Sequence, residues 1–407
     1  MIAIAVLGHG VVGSGVAEVL EKNRESICRK AGADIYVKKI LDLRDFPGLS
    51  YSDRFTKSFD EILSDPDIQV VVEVMGGLKP AFEYVSAALN AGKSVVTSNK
   101  ELVAAKGAEL LALAKKKNRN FLFEASVGGG IPIIRPLHQC LAANEINEIV
   151  GILNGTTNFI LTKMIREGMS FADALKMAQE LGYAEKDPTA DVEGHDTCRK
   201  ICILASLAFG AHIYPEEVPT QGITKITLED VHYAESAGRV IKLLGQTRKV
   251  GEKCYVMVGP ALVGREGPLA GVEDVFNAVL VRGDATGDVV FYGKGAGKLP
   301  TASAVVSDVI DCVKAEGTIA TLHWEDARGR AADIREEASA RYIRCKGEAA
   351  AATKVFGQVA FLQRAGKPED EFAFIAPTMT GYDLESKLDA LRGQGVEVLG
   401  SLQVWET

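Results

Sequence analysis

The chain has 407 residues, 47% hydrophobic, 25% charged and 7% aromatic, the balance of a globular protein rather than a disordered, fibrous or disulfide-stapled one. Its length fits two or three domains, and a formal charge of −8 leaves no cationic surplus for neutralising nucleic-acid phosphates. Seven scattered cysteines without a CxxC pair suit reduced thiols in a cytoplasmic protein, and the uncharged stretch Ile2–Ala17, broken by Gly8, Gly10, Gly13 and Gly15, fits neither a signal peptide nor a membrane span.

Residues 1–135 alternate apolar β-rich runs with helical patterns. In order these are Ile2–Leu7, a helix from Val11 to about Arg24, Ile35–Leu41, a helix near Phe59–Leu63, Val70–Val74, a helix near Ala81–Ala91, Ser94–Thr97, a helix near Leu102–Lys117, and Phe121–Glu124. Strands separated by helices pair in parallel through right-handed crossovers, so the expected class is α/β with a Rossmann-type doubly wound sheet. Residues 136–320 read as a second, α+β domain. It holds a run Ile149–Leu153, a long helix starting near Asn158, an acid-rich loop with Pro188, an apolar helix from Asp191 to Phe209, and antiparallel runs at Tyr255–Val258, Asn277–Arg282 and Val289–Tyr292. The helix Thr301–Lys314 within 300–320 is expected to pack back on the first domain. Ala327–Ala338, charged and without aromatics, reads as a linker. Residues 340–407 then give strands at Arg341–Lys346, Gln358–Gln363, Glu371–Ile375 and Val396–Val404 with helices from Glu348 and over Leu384–Arg392, a compact βαββαβ unit.

Gly8-His9-Gly10-Val11-Val12-Gly13 follows a strand and opens a helix, the context in which GxGxxG binds a dinucleotide. Gly8 serves the tight turn, Gly10 lets the backbone approach a pyrophosphate, and Gly13 lets helix and strand pack closely. Asp42, at the end of the second strand, stands where an acid bonds the adenosine ribose and favours NAD, while Arg44 two residues later would pair with the 2′-phosphate of NADP. Thr97-Ser98-Asn99-Lys100 lies at the carboxyl edge of the sheet, so Lys100 would face the nicotinamide end; the alternative is a solvated helix start. In Gly182–Lys200, Asp196 and Lys200 are spaced i,i+4 on one helix face. A surface ion pair is the bland reading, but the helix continues Ile201-Cys202-Ile203-Leu204-Ala205, apolar nearly all round and therefore buried. Cys198 and Cys202 lack the partner spacing of a metal site.

The pattern A-x-x-x-G-x-A-x-x-D-P-x-x-D-V-x-G-x-D-x-x-x-K, from Ala178 to Lys200, resembles the signature of homoserine dehydrogenases. The likeness extends through Gly8–Gly13, Thr97–Lys100, Glu124–Pro132, Asn154–Asn158 and Gly293–Ala302, and covers roughly residues 1–320. The resemblance implies reversible NAD- or NADP-dependent interconversion of L-homoserine and L-aspartate 4-semialdehyde. It places the family's two lysines on Lys100 and Lys200, its substrate-binding acids on Glu185 and Asp191 with Asp196 beside them, and the rest of the pocket on Gly155, Thr156 and Tyr183. At the cofactor it places Gly8–Gly13, with His9 packing there, Asp42, Arg44, Thr97, Ser98 and Gly297. Glu124, with the backbone carbonyls of Val127, Gly129 and Ile131, matches a monovalent-cation site for Na or K. The resemblance further implies a homodimer or homotetramer, no nucleic-acid or membrane partner, and a catalytic and dimerisation role for the second domain. The last 70 residues resemble an ACT regulatory domain in pattern but weakly in sequence: after Arg341–Lys346 the turn keeps Gly347 but lacks the usual Asp and Pro. A dinucleotide-binding sensor without turnover is disfavoured, since Lys100, Glu185, Asp191, Asp196 and Lys200 are all present. An aspartate-semialdehyde dehydrogenase would need a cysteine nucleophile in a Gly/Asn-rich loop, and a fused aspartate kinase is not expected ahead of a glycine loop that begins at residue 8.

Overall fold

The computed structural model describes residues 1–315 and 322–406, so the end of the segment 300–320 lies outside the described residues. The first elements are β1 (Ile2–Leu7), α1 (Val11–Lys22), α2 (Arg24–Ala31), β2 (Ile35–Leu41), β3 (Phe55–Thr56), α3 (Phe59–Leu63), β4 (Ile68–Glu73), α4 (Ala81–Asn90), β5 (Ser94–Thr97), α5 (Lys100–Lys117) and β6 (Phe121–Leu122). There follow β7 (Ile146–Ile152), α6 (Gly155–Glu167), α7 (Phe171–Glu180), α8 (Thr189–Val192), α9 (His195–Phe209), α10 (Leu228–Ser236), β8 (Arg239–Val250), β9 (Lys253–Gly264), β10 (Phe276–Gly283), β11 (Gly287–Lys294) and α11 (Lys298–Lys314). The chain closes with β12 (Ala331–Ala332), β13 (Ser339–Lys346), α12 (Ala349–Phe356), β14 (Ala360–Leu362), β15 (Glu371–Met379), α13 (Gly381–Gly393) and β16 (Glu397–Trp405).

Two compact units result. The first holds Met1–Glu145, Cys202–Pro215 and Phe291–Arg328. Its six-stranded sheet has the order β3-β2-β1-β4-β5-β6, parallel throughout. The inner strands are buried on both faces and therefore read as continuous Val/Ile runs; Ile4, Val6, Val70, Val72 and Val96 pack with Val305 and Val309 of α11 in one core. The strand order reverses beside β1, so the carboxyl ends of β1 and β4 open the crevice where doubly wound sheets bind ligands.

The second unit holds Ile146–Ile201, Glu216–Val290 and Gly329–Thr407. Its strands run β11-β10-β7-β8-β9-β16-β13-β15-β14, with β12 off this path against β9. The C-terminal βαββαβ has its own core around Ile343, Phe356, Phe374, Leu384, Leu391 and Val396, yet it shares the sheet, because β16 pairs in parallel with β9 at Gln403↔Ala261.

Three departures from the sequence reading have physical causes. The helix expected from Asp191 to Phe209 is two, α8 and α9, because Gly194 takes a left-handed φ of +84° between them. The β8 strand went unread because residues 241–247 are buried without alternation and carry Lys242 and Gly245, which hides the two-residue period. The segment Ala327–Ala338 is no free linker: Ala331 and Ala332 pair with Cys254 and Tyr255, and Glu336 and Glu337 form ion pairs with Lys253 at 2.6 Å and Arg248 at 3.2 Å. Its two glutamates at 336 and 337 are partners of the β8–β9 hairpin. Among the described residues no helix is long and apolar enough to cross a membrane.

Candidate active site

The sequence-predicted residues form two clusters, one in each unit. In the first, Gly8 has φ +98°, and a Cβ on Gly13 would stand 2.0 Å from the Gly8 carbonyl oxygen, so α1 meets β1 only through glycine. Gly10 is the N-cap of α1 and provides no side-chain cap, and a Cβ built on it meets no atom within 4 Å. The loop is therefore open in front of a helix N-terminus whose first amides point outward, which suits the pyrophosphate of a dinucleotide. Val11 beside it is 66% exposed and Val12 half-buried.

Asp42 follows β2 beside the glycine loop. Its carboxylate accepts from the backbone N–H of His9 at 2.8 Å and of Arg44 at 3.0 Å, and from the Arg44 guanidinium at 2.9 and 3.0 Å. These bonds, the Arg44 side chain first, hold its carboxyl well below the usual carboxylate range. The Arg44 side chain is 63% exposed and stands over Phe46. The His9 ring, expected against cofactor, is turned instead into Phe46, Tyr51 and Phe55. Burial lowers its pKa, and its main chain is held by Asp42, which takes the N–H, and by Arg44, which donates to the carbonyl at 3.2 Å.

After β5, Lys100 begins α5 and is half-buried, with Ser98 half-buried before it. Asn99 caps the helix by accepting from Leu102 N–H at 3.1 Å, the function that favours Asn there. Thr97, expected toward the cofactor, is wholly buried and donates inward to Glu73 at 2.6 Å, because it is the last residue of an inner strand. Gly297 has φ +126° and opens α11, and it is exposed.

The Glu124 side chain is also spent internally. It accepts from the amides of Ile133 at 2.6 Å, Ile134 at 2.9 Å and Arg135 at 2.7 Å. The glycines of the loop after it serve close packing: a Cβ on Gly129 would lie 2.2 Å from Gly295 O. Among the described residues, no group of three or more His, Cys, Asp or Glu could hold a metal ion.

In the second unit, Asn154 is the hub. As N-cap of α6 its Oδ1 accepts from Thr157 N–H at 2.8 Å, and its Nδ2 donates to Asp191 at 2.7 Å and Asp196 at 2.9 Å. Lys200 donates to Asp196 at 2.8 Å and to the Leu153 carbonyl at 2.7 Å. Asp196 and Lys200 are 3% and 8% exposed; the i,i+4 pair is a buried one, and its charges need this geometry. Gly155 lies against Val275 O, Thr156 donates to the Tyr183 carbonyl at 2.7 Å, and Tyr183 is 45% exposed with its ring edge-to-face with Phe159. Glu185 stands apart, exposed on the turn after α7. The sequence reading placed Asn154 in a motif without a role; an Asn immediately before a helix is the signal that was available.

A carboxylate, a second carboxylate and a buried lysine linked by one amide can hold an ammonium group and handle a proton, and a glycine loop before a helix can hold a dinucleotide. The homoserine dehydrogenase family model matches residues 132–310, and the homoserine dehydrogenase NAD binding domain matches residues 8–124. The chain is 44% identical over 320 residues to the homoserine dehydrogenase of Bacillus subtilis, covering 77% of this chain and 73% of that one, and 47% identical over 313 residues to that of Neisseria gonorrhoeae, covering 76% and 72%. Among solved structures, a homoserine dehydrogenase from Thiobacillus denitrificans superposes with a TM-score of 0.92 at 36% identity, covering 100% of this chain and 98% of that one. A hyperthermophilic archaeal homoserine dehydrogenase in complex with NADPH gives 0.66 at 31% identity, covering 76% and 97%. The chain belongs to the homoserine dehydrogenase family, oxidoreductases that interconvert L-homoserine and L-aspartate 4-semialdehyde with a nicotinamide cofactor.

Proposed function

We propose that Lys200 and Lys100 handle the proton that leaves or joins the substrate oxygen, and that Asp191, with Asp196 behind it, holds the substrate ammonium, joined by Glu185 from the turn after α7. The observation that carries this reading is the Asn154 bridge, which ties Asp191 to the Asp196–Lys200 pair. Asp196 fixes the Lys200 ammonium, and Leu153 O orients it. A lysine so held donates a proton to an alkoxide as the ammonium and, in the reverse direction, accepts one from an alcohol as the neutral amine, without moving. The nicotinamide cofactor supplies hydride transfer when bound. Gly155, Thr156 and Tyr183 shape the pocket, and Ser98 and Gly297 border the cofactor.

For the cofactor we propose that NAD is preferred and NADP accepted. Asp42 offers a carboxylate to the ribose hydroxyls, and the exposed Arg44 guanidinium offers a charge to a 2′-phosphate, as the NADPH complex of a relative makes reasonable. A monovalent cation would be held by main-chain carbonyls of the Glu124–Ile131 loop. The domain scheme is a dinucleotide-binding part over 1–135, a catalytic and dimerisation part over 136–320 and an ACT-like part over 340–407, in a homodimer or homotetramer. Initial rates with homoserine and either NAD or NADP test the reading: turnover with both and a higher kcat/KM for NAD is expected, and a clear NADP preference overturns the cofactor assignment.

A further inference from the structure

Glu73 ends β4, opposite Thr97 of β5 and Leu7 of β1, and it is wholly buried. A lone carboxylate at such depth is costly unless its oxygens are satisfied, and here both are. One oxygen accepts from the amides of Met75 at 2.8 Å and Gly76 at 3.2 Å; the other accepts from the Thr97 hydroxyl at 2.6 Å. Thr97, its proton given to Glu73, accepts from Asn99 N–H at 2.9 Å. Asn99 in turn donates to Gly77 O at 2.7 Å and caps Leu102, inside the helix that Lys100 begins. With Glu73 as the carboxylate every donor in this chain has one direction, and the main chain from Met75 to Gly77 closes the loop that runs Glu73–Thr97–Asn99–Gly77.

The ring joins two pieces of the nicotinamide-facing edge. One is the Met75–Gly77 turn, with φ of +80° at Gly76 and +72° at Gly77, which lies so close to the phosphate loop that a Cβ on Gly8 would meet Met75 at 3.1 Å. The other is the capped start of α5. We propose that Glu73 is a positioning residue for hydride transfer: through Thr97 and Asn99 it sets the Met75–Gly77 turn and the Lys100 end of α5 in mutual register. The Lys100 half of this statement rests on the role proposed for that lysine.

The decisive comparison is Thr97→Val against Thr97→Ser. Valine keeps the buried volume and loses the hydroxyl; serine does the reverse. If Thr97 only packs, Val is the milder change; if it relays the Glu73 bond, Ser is. The expected order is a kcat loss for Thr97→Val of roughly 10- to 100-fold, the scale of one hydrogen bond to a buried charge, and a clearly smaller loss for Thr97→Ser. Glu73→Gln, which returns an amide where an acceptor is needed, should fall with Thr97→Val, and the double variant should be no worse than the poorer single one. NADH fluorescence titration should show dinucleotide affinity falling far less than kcat. Thr97→Val as active as Thr97→Ser, or an affinity loss as large as the kcat loss, overturns the proposal; if Glu73→Gln fails to fold, the Thr97 pair decides alone. Lys100→Met separates the two readings: unchanged turnover there, with Glu73→Gln impaired, removes the role of Lys100 and leaves Glu73 acting through the turn.

Discussion

The two clusters solve opposite problems. The dinucleotide loop is made of main chain: Gly8, Gly10 and Gly13 act by what they lack, and the one acid there, Asp42, is anchored by two backbone amides. The second cluster is made of side chains: Asn154, Asp191, Asp196 and Lys200 are linked by hydrogen bonds, with Asn154, Asp196 and Lys200 buried and Asp191 half-buried at their edge. A main-chain site is broken by adding a methyl group, and a side-chain site by removing a charge.

The largest effect should come from removing the charge at the centre of the second cluster. Lys200→Met is expected to lower kcat by about 10²- to 10⁴-fold, the usual weight of a general acid–base group, with NADH affinity nearly unchanged because the glycine loop belongs to the other unit. It should also destabilise by about 3–5 kcal/mol, since Asp196 is left buried without its ion partner. Steady-state rates, NADH titration and urea unfolding read the three numbers. A kcat within threefold of the parent would remove Lys200 from the chemistry.

Next come paired methyl additions in the first cluster. Gly13→Ala forces a Cβ to within 2.0 Å of Gly8 O, with Val74 at 3.3 Å, so it should cost about 1–3 kcal/mol in stability by overpacking and abolish tight NADH binding. Gly10→Ala meets no protein atom within 4 Å; it should melt with the parent yet raise the KM for NAD about tenfold or more, because its methyl enters the space a phosphate needs. Equal melting temperatures for the two variants would show that the glycines are not sorted into packing and ligand roles.

Arg44→Ala should act more gently and on one cofactor only. The guanidinium is exposed and bonded to a carboxylate that stays ionised, so NAD loses little. NADP loses a charged partner for its 2′-phosphate, and its kcat/KM should fall roughly tenfold, the order of one charge-assisted bond. Asp42→Ala should move the ratio toward NADP by removing like-charge repulsion. A loss shared equally by both cofactors with Arg44→Ala would assign Arg44 to holding Asp42 alone.

Much of this was legible in the sequence, for reasons that differ by region. The parallel sheet announced itself because inner strands covered on both faces are unbroken Val/Ile runs, and the glycine loop because its spacing follows from the geometry of a strand–turn–helix. Asp196 and Lys200 were legible from i,i+4 spacing on an apolar helix. What stayed hidden were the residues whose role is set by distant partners. Glu73 looks like the polar end of a strand until Thr97 and the Met75–Gly77 turn are seen around it; the Glu124 side chain gives no sign of the three amides it accepts from; and Glu336 and Glu337 look like solvent exposure until Lys253 and Arg248 supply their counter-ions.

The same contrast between an open and a filled glycine turn yields the smallest expected effect, which is none: millimolar threonine should not change the rate. In the C-terminal unit, Gly347 follows β13 and Glu348 is the N-cap of α12, without a side-chain cap. This is the position at which an effector would meet backbone groups and the positive end of a helix. It differs from Gly10 in two ways. The Gly347 amide is already given to the Asp370 carbonyl at 2.6 Å, and a Cβ on Gly347 would stand 3.1 Å from Val396, so the residue just before β16 fills the space that stays open at Gly10. The first turn of α12 is Ala349–Ala352, which presents methyl groups where a zwitterion needs donors and acceptors. The module is then held for packing: its sheet continues β9 through β16, and its core is complete without a ligand. Rate assays with threonine and other aspartate-family amino acids, on the full chain and on one ended near Ala338, check this. Inhibition at millimolar threonine that disappears on truncation would mean that the turn opens to bind, and that the closed form with Gly347 against Val396 is only one of its states.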